Sequence, residues 1–225
     1  MNIWLIMILV MLASYLVQAT LNAKFDKYSK VPNRAGLTGA DVARKMLKDC
    51  GVEGVEVTCI GGRLTDHFNP KDMTVNLSEG VYHSNSIAAA AIAAHECGHA
   101  IQHAQGYAPL RMRSALVPVV SFSSSIVQWV LLAGVFMVNT FPAVLWAGII
   151  LFAFTTLFSL VTLPVEIDAS SRAVMWLEYA DVAEGETRAM AKDALKWAAY
   201  TYVIAALGSL ATLFYYISLA NNRRS

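Results

Sequence analysis

The sequence predicts a mainly α-helical, multi-pass membrane protein that also carries a small unit of helices and strands. Hydrophobic residues make up 56% of its 225 residues and charged residues only 15%, compared with about 25% charged residues in soluble domains. Four stretches contain no charged residue: Ile3 to Leu21, Leu116 to Val138, Ala143 to Leu163 and Trp197 to Leu219. Each has roughly the 17 to 25 residues that a helix needs to cross the hydrocarbon core of a bilayer.

The first charge-free stretch is predicted to be an uncleaved membrane anchor. No positive charge precedes it, and it is longer than the apolar core of a signal peptide, which has about 7 to 15 residues. The predicted parts are, in chain order, a transmembrane helix, a polar segment, a transmembrane hairpin, a second polar segment, a transmembrane helix and a tail. They cover residues 1–21, 22–115, 116–163, 164–196, 197–219 and 220–225.

The distribution of positive charge predicts the orientation in the membrane. Of the 17 Lys and Arg residues, 11 lie in the first polar segment, four in the second and two in the tail. With four crossings, both polar segments face the same side of the membrane, because the hairpin between them returns the chain. The positive-inside rule predicts that this side is the cytoplasm.

The first polar segment has the patterns of a small α/β unit. Thr38 or Asp41 can cap a helix over residues 42–47. Apolar and polar residues alternate over 55–59 and again over 73–78, which predicts two half-buried strands.

Two further helices are predicted in the polar segments. Ser84 or Ser86 can cap a long helix that runs through an Ala-rich segment to about His103. The second polar segment carries helix formers throughout. Pro164 is expected to begin its helix and Gly185 to interrupt it.

Charge and cysteine content narrow the class of protein further. The formal net charge of +1 indicates neither nucleic-acid binding nor an acidic partner. Cys50, Cys59 and Cys97 are odd in number and lack the spacing of a metal site. They are predicted to be reduced thiols in a protein that faces the cytosol.

His95, Glu96 and His99 form the pattern H-E-x-x-H within the segment predicted to be a long helix. Residues i and i+4 share a helix face, so both imidazoles can bind one Zn²⁺ ion at about 2.0 to 2.1 Å. Glu96 would lie beside the metal, where its carboxylate can take a proton from the zinc-bound water. The alternative, a purely structural helix, would place three ionisable groups beside an apolar face. Cys97 points to another face and is predicted to pack.

A catalytic zinc site has three protein ligands and leaves the fourth position to water. His103 is one turn too far along the helix axis to share a metal with His95. Glu166 is the preferred third ligand, because the hairpin returns it to the side of the zinc helix. Asp168 is its main rival, two residues further on. Further candidates are His67 and His83.

Two further roles, the hydrogen-bond partner of each ligand histidine and the donor to the oxyanion, each have several candidate side chains. Each ligand histidine needs an acceptor for its second ring nitrogen, and either Asp168 or Ser170 could serve. The oxyanion formed on a scissile carbonyl needs a donor besides zinc. The available donors are Arg172, Tyr179, His67 and His83.

Three runs around these candidates carry a family resemblance: residues 64–70 (LTDHFNP), 95–102 (HECGHAIQ) and 164–170 (PVEIDAS). Together with the layout of the apolar helices, they resemble the YugP-type neutral zinc metallopeptidases of bacteria, and more distantly the HtpX-type membrane peptidases. The resemblance implies a gluzincin, in which Glu is the third ligand, and so favours Glu166 over Asp168. The distant relatives carry Asp four residues after that Glu, where this chain has Ser170.

The sequence therefore predicts a zincin-like catalytic unit, made of the HExxH helix and a small β-sheet, on a multi-pass membrane protein. The predicted function is a metalloendopeptidase with one zinc ion per chain that cleaves membrane or membrane-proximal proteins. The strand over 73–78 could pair with an extended substrate. One alternative is a site-2-type intramembrane protease, but the charge-free stretches contain no Asp to serve as its ligand. The other is a degenerate membrane scaffold, against which the intact HExxH pattern argues.

Overall fold

The computed structural model describes residues 3–222, which are mainly helical. The predicted tail beyond residue 222 and the first two residues of the predicted anchor lie outside the described residues. Seven helices and three strands are present among the described residues. The helices are α1 (Ile3–Tyr28), α2 (Gly39–Asp49), α3 (Glu79–Tyr82), α4 (Ile87–Ala104), α5 (Ala108–Phe136), α6 (Pro142–Tyr179) and α7 (Gly185–Asn222). The strands are β1 (Glu56–Ile60), β2 (His67–Asn69) and β3 (Thr74–Ser78).

Four of the described helices, α1, α5, α6 and α7, are long and apolar enough to cross a membrane. Three of the charge-free stretches lie wholly within these helices and the second ends two residues beyond α5, which confirms the predicted mainly helical chain with four candidate membrane spans. Each helix also continues into the polar segments. The break expected near Gly185 separates α6 from α7, and Gly185 itself has a positive φ of 53°.

The prediction that Pro164 begins a helix was wrong, because Pro164 lies inside α6. A proline in a helix interior removes one backbone hydrogen bond. The residues that follow compensate for this loss, because Val165, Ala169 and Ala173 on one face of α6 are fully buried. Packing of this face favours a continuous helix over a new start. Glu166 consequently lies in the interior of α6 and not in a first turn.

The chain divides into two compact units. The apolar unit comprises the described residues of Met1–Leu16, Pro109–Pro164 and Thr201–Ser225. Within it, α5 and α6 pack closely. A Cβ atom added to Gly134 would lie 2.6 Å from the Cα of Leu145, so only glycine allows this approach.

The polar unit comprises Val17–Ala108 and Val165–Tyr200. Its helix α2 begins with a capping box, in which Thr38 is the N-cap and the Asp41 side chain accepts from the Thr38 backbone N–H. Helix α4 begins at the N-cap Ser86, whose side chain accepts from the backbone N–H of Ala89. These contacts decide between the capping residues that the sequence left open.

A three-stranded sheet in the polar unit has the order β1-β3-β2. Strand β3 pairs with β1 in parallel and with β2 in antiparallel fashion. Both predicted strands are present, but two expectations were wrong. Cys59 is exposed, although the alternation placed it on the buried face. Strand β3 is central, so both of its edges are occupied and it cannot pair with a substrate. The edge strand β2 has only three residues, too few to show an alternation in the sequence.

The core of the polar unit surrounds α4. Most residues of this helix are buried, because its small side chains let α2, the sheet and α6 approach it closely. The closest approach is at Gly98, where an added Cβ atom would lie 2.8 Å from the backbone oxygen of Ala169 on α6. This approach brings the HExxH helix and the segment around Glu166 together.

Candidate metal centre

Three side chains of the polar unit converge on one point. The ligand atoms of His95, His99 and Glu166 all lie within 4.8 Å of one another. The Oε2 atom of Glu166 is 3.3 Å from Nε2 of His95 and 3.7 Å from Nε2 of His99. Glu166 is only 3% exposed and His99 9% exposed. The structure thus places Glu166, and not its rival Asp168, next to both imidazoles.

The two histidines owe their positions to helix geometry. They lie one turn apart on α4, with ring centroids 4.8 Å apart and ring planes at 81°, so both Nε2 atoms can point to one ion. Glu166 reaches the same point from α6, because Gly98 allows the two backbones to approach. The spacing predicts the histidine pair, whereas the third group depends on the packing of two helices.

The donor set fits a zinc ion. Two imidazole nitrogens and one carboxylate oxygen are ligands that Zn²⁺ prefers, and three protein ligands leave one position for water, as in catalytic sites. A carboxylate that is 3% exposed also needs a partner of opposite charge or a metal, because an uncompensated buried charge is costly. The site therefore has both the chemistry and the burial of a metal centre.

The surroundings of His99 favour a positive charge on its ring. Burial by itself lowers the pKa of His99, but the neighbouring carboxylates of Glu166 and Glu96 outweigh burial, and the pKa of His99 is raised. A proton and a metal ion use the same nitrogen lone pair. The electrostatic field that favours the proton therefore also favours a bound cation.

Hydrogen bonds occupy the second nitrogen of each ring. Nδ1 of His95 lies 3.1 Å from Oγ of Ser170, and Nδ1 of His99 lies 3.0 Å from Oε1 of Gln102. Of the two partners left open by the sequence, Ser170 contacts a histidine directly. Gln102 was not predicted. The only signal for it was its position three residues after His99, on the same helix.

Asp168 has a different place in the site. Its Oδ2 atom accepts from Nε2 of Gln102 at 2.8 Å and from Nε of Arg172 at 2.6 Å. The Arg172 guanidinium also donates to Oε1 of Gln105 at 2.8 Å. Asp168 is therefore two hydrogen bonds away from the His99 ring, with the Gln102 amide between them.

The chain matches known proteins over nearly its whole length. A family described as "Putative neutral zinc metallopeptidase" matches residues 3–221. The chain belongs to this family. A relative from Bacillus subtilis (strain 168), described as "Putative membrane protease YugP", is 40% identical over 215 residues, which cover 94% of this chain and 93% of the relative. The family resemblance seen in the sequence is thereby confirmed. No solved structure matches the chain.

Glu96 directly follows His95, its negative charge acts on the His99 ring, and it is 9% exposed. Its Oε2 atom accepts from the backbone N–H of Phe68 on strand β2 at 3.0 Å. This bond holds the carboxylate and shows that the Phe68 N–H points away from β3. It therefore joins the edge of the sheet to the HExxH helix.

Cys97 lies between the motif residues but does not face the metal centre. Burial raises the pKa of its thiol well above the usual range, and Sγ donates to the backbone oxygen of Ala43 at 3.5 Å. Zinc binds the thiolate form of cysteine. A buried, protonated thiol is therefore a packing group, in agreement with the sequence prediction for Cys97.

The other candidate histidines of the peptidase have separate surroundings. Nδ1 of the exposed His67 lies 2.7 Å from the backbone oxygen of Thr65. Nε2 of His83 lies 4.0 Å from Sγ of Cys59, and the His103 ring contacts Phe68. In the part of the chain that the structure describes, these three rings do not join the metal-binding group.

Proposed function

We propose that this chain is a membrane-bound zinc endopeptidase of the gluzincin type. His95, His99 and Glu166 hold one zinc ion, and Glu96 is the catalytic base. The observation that carries the proposal is the convergence of the three ligand atoms within 4.8 Å, beside a buried glutamate that directly follows the first histidine. Helix α4 with the sheet forms a zincin-like unit in this proposal.

The chemistry follows from the positions of these groups. Bound zinc would polarise the scissile carbonyl and lower the pKa of the attacking water to about 7. Glu96 takes one proton from that water as it attacks the carbonyl carbon. The same carboxyl then gives the proton to the leaving nitrogen when the C–N bond breaks.

The substrate is proposed to be an extended protein segment beside strand β2. This strand is an edge of the sheet, and a sheet edge can bind an extended chain through main-chain hydrogen bonds. Because the outward N–H of Phe68 donates to Glu96, the strand would offer a substrate its outward backbone carbonyl, and a segment bound along β2 would pass next to the base. We assign the oxyanion donor to none of the four candidates, because both ring nitrogens of His67 are engaged, by the Thr65 backbone oxygen and the Asn76 amide, and His83 lies beside Cys59. Arg172 is engaged with Asp168 and Gln105, and Tyr179 is 84% exposed.

Metal removal tests the proposed function. The purified protein in detergent is expected to contain one zinc ion per chain and to cleave an unfolded protein substrate. A chelator should abolish the cleavage and added Zn²⁺ should restore it, whereas Mg²⁺ should not, because Mg²⁺ prefers octahedral oxygen ligands. Zinc content is measured by elemental analysis and cleavage by mass spectrometry of the fragments. Full zinc content with no turnover on any substrate would favour the scaffold alternative.

The polar unit is proposed to face the cytoplasm, as the distribution of Lys and Arg predicts. In intact cells, a membrane-impermeant maleimide is expected to miss the exposed Cys50 and Cys59 and to label them after permeabilisation. A Ser225→Cys variant, in a chain with Cys50→Ser and Cys59→Ser, should be labelled in intact cells. The reverse labelling pattern would place the polar unit outside.

A further inference from the structure

Gln102 is fully buried and makes three hydrogen bonds. Its Oε1 atom lies 3.0 Å from Nδ1 of His99. Its Nε2 atom donates to the backbone oxygen of Val165 and to Oδ2 of Asp168, both at 2.8 Å. The side chain thus joins a histidine of the metal centre on α4 to two oxygen atoms on α6.

The two oxygen atoms on α6 fix the orientation of the Gln102 amide. A carbonyl and a carboxylate paired with Arg172 accept hydrogen bonds and have no hydrogen to donate. If the amide were rotated by 180°, Oε1 would face both of these acceptors, and two hydrogen bonds would become repulsive contacts. The nitrogen end therefore points to α6, and the oxygen end points to His99.

This orientation in turn decides which nitrogen of His99 carries hydrogen. An amide oxygen can only accept, so Nδ1 must be the donor. The neutral ring then has its lone pair on Nε2, the atom that lies 3.7 Å from Glu166. His95 is not constrained in this way, because the hydroxyl of Ser170 can either donate or accept.

We propose that Gln102 is a positioning residue of the metal centre. Its amide oxygen holds His99 in the tautomer and ring orientation that present Nε2 to zinc. Asp168, itself held by Arg172, acts through Gln102 by fixing the nitrogen end of the amide. This inference rests on the proposed zinc site. In this proposal, Gln102 and Asp168, which do not bind the metal themselves, determine that His99 binds zinc through Nε2.

Zinc affinity of a Gln102→Met variant tests the proposal. Methionine has the length of glutamine but offers His99 no comparable acceptor. Competition with a chromogenic chelator should give a zinc Kd about 10- to 100-fold above that of the wild type, the usual effect of losing an outer partner of a ligand histidine. Gln18→Met is the matched control. It removes one exposed hydrogen bond to Asn22 on α1, and we expect its zinc Kd to stay within about twofold of the wild-type value.

A double-mutant cycle tests the role of Asp168. If Asp168 acts through Gln102, the variant with Gln102→Met and Asp168→Ala should bind zinc about as weakly as Gln102→Met alone. Additive losses would overturn this part of the proposal. Asp168→Ala also provides a second variant if Gln102→Met does not fold.

A spectroscopic readout separates positioning from general stability. In a metal-free Glu166→Ala background, which removes the competing acceptor at Nε2, and at a pH where the ring is neutral, the ¹⁵N shifts of His99 should show the Nδ1–H tautomer, and adding Gln102→Met should give a mixture. Unchanged shifts in this background and wild-type zinc affinity in Gln102→Met would overturn the proposal. His99→Ala distinguishes this failure from failure of the zinc site, because His99→Ala must lose zinc if the site exists at all.

Discussion

Replacing Glu96 with glutamine is expected to lower peptide hydrolysis by at least about 10²- to 10⁴-fold, the usual contribution of a general base. Zinc content should stay at one ion per chain. The amide oxygen of the new side chain can still accept the hydrogen bond from the Phe68 N–H. It cannot take a proton from water, so the loss is chemical and not structural. Turnover in detergent and elemental analysis of the same preparation measure the two quantities.

A matched control for this prediction is Glu53→Gln. Glu53 is an exposed residue before strand β1, so the same change of charge is expected to leave turnover within about twofold. Turnover of purified Glu96→Gln at the wild-type level would remove Glu96 from its proposed role. Loss of zinc in this variant would instead show that Glu96 contributes to metal binding.

Replacing Glu166 with alanine is expected to remove zinc as completely as His95→Ala does. The remaining pair, His95 and His99, would hold the ion with two protein ligands, too few for a stable catalytic site. Asp168→Ala should retain zinc with an affinity lower by at most about 10- to 100-fold, because Asp168 reaches the His99 ring only through the Gln102 amide. Elemental analysis after dialysis against a weak chelator measures the retained zinc.

Glu178→Ala is the control on the same helix. Glu178 pairs with Arg188 in an exposed ion pair, so its loss should leave zinc content unchanged. Thermal unfolding of each metal-free variant reports any loss of folding. If Glu166→Ala keeps its zinc while Asp168→Ala loses it, the third ligand is Asp168. Retention by both variants would point to a ligand outside α6.

Local patterns in the sequence were sufficient to predict the long apolar helices, the start of the HExxH helix and the histidine pair. The charge-free stretches predict the four long apolar helices, because a membrane span needs a continuous apolar run of fixed length. Ser84 or Ser86 before an Ala-rich run predicts the start of α4 to within two residues, and the structure selects Ser86. The spacing of His95 and His99 predicts that they share a helix face. These features depend on residues within one or two turns of one another, so the chain need not be folded for them to be recognised.

Tertiary structure decided what depends on contacts between distant segments. It brought Glu166 to both imidazoles and placed Ser170 and Gln102, rather than Asp168, at their second nitrogens. The sequence could not rank these side chains, because two residues along a helix rotate a side chain by about 200° and the facing side is set by packing. That packing depends on Gly98, which lets the backbones of α4 and α6 approach closely enough for the site to form.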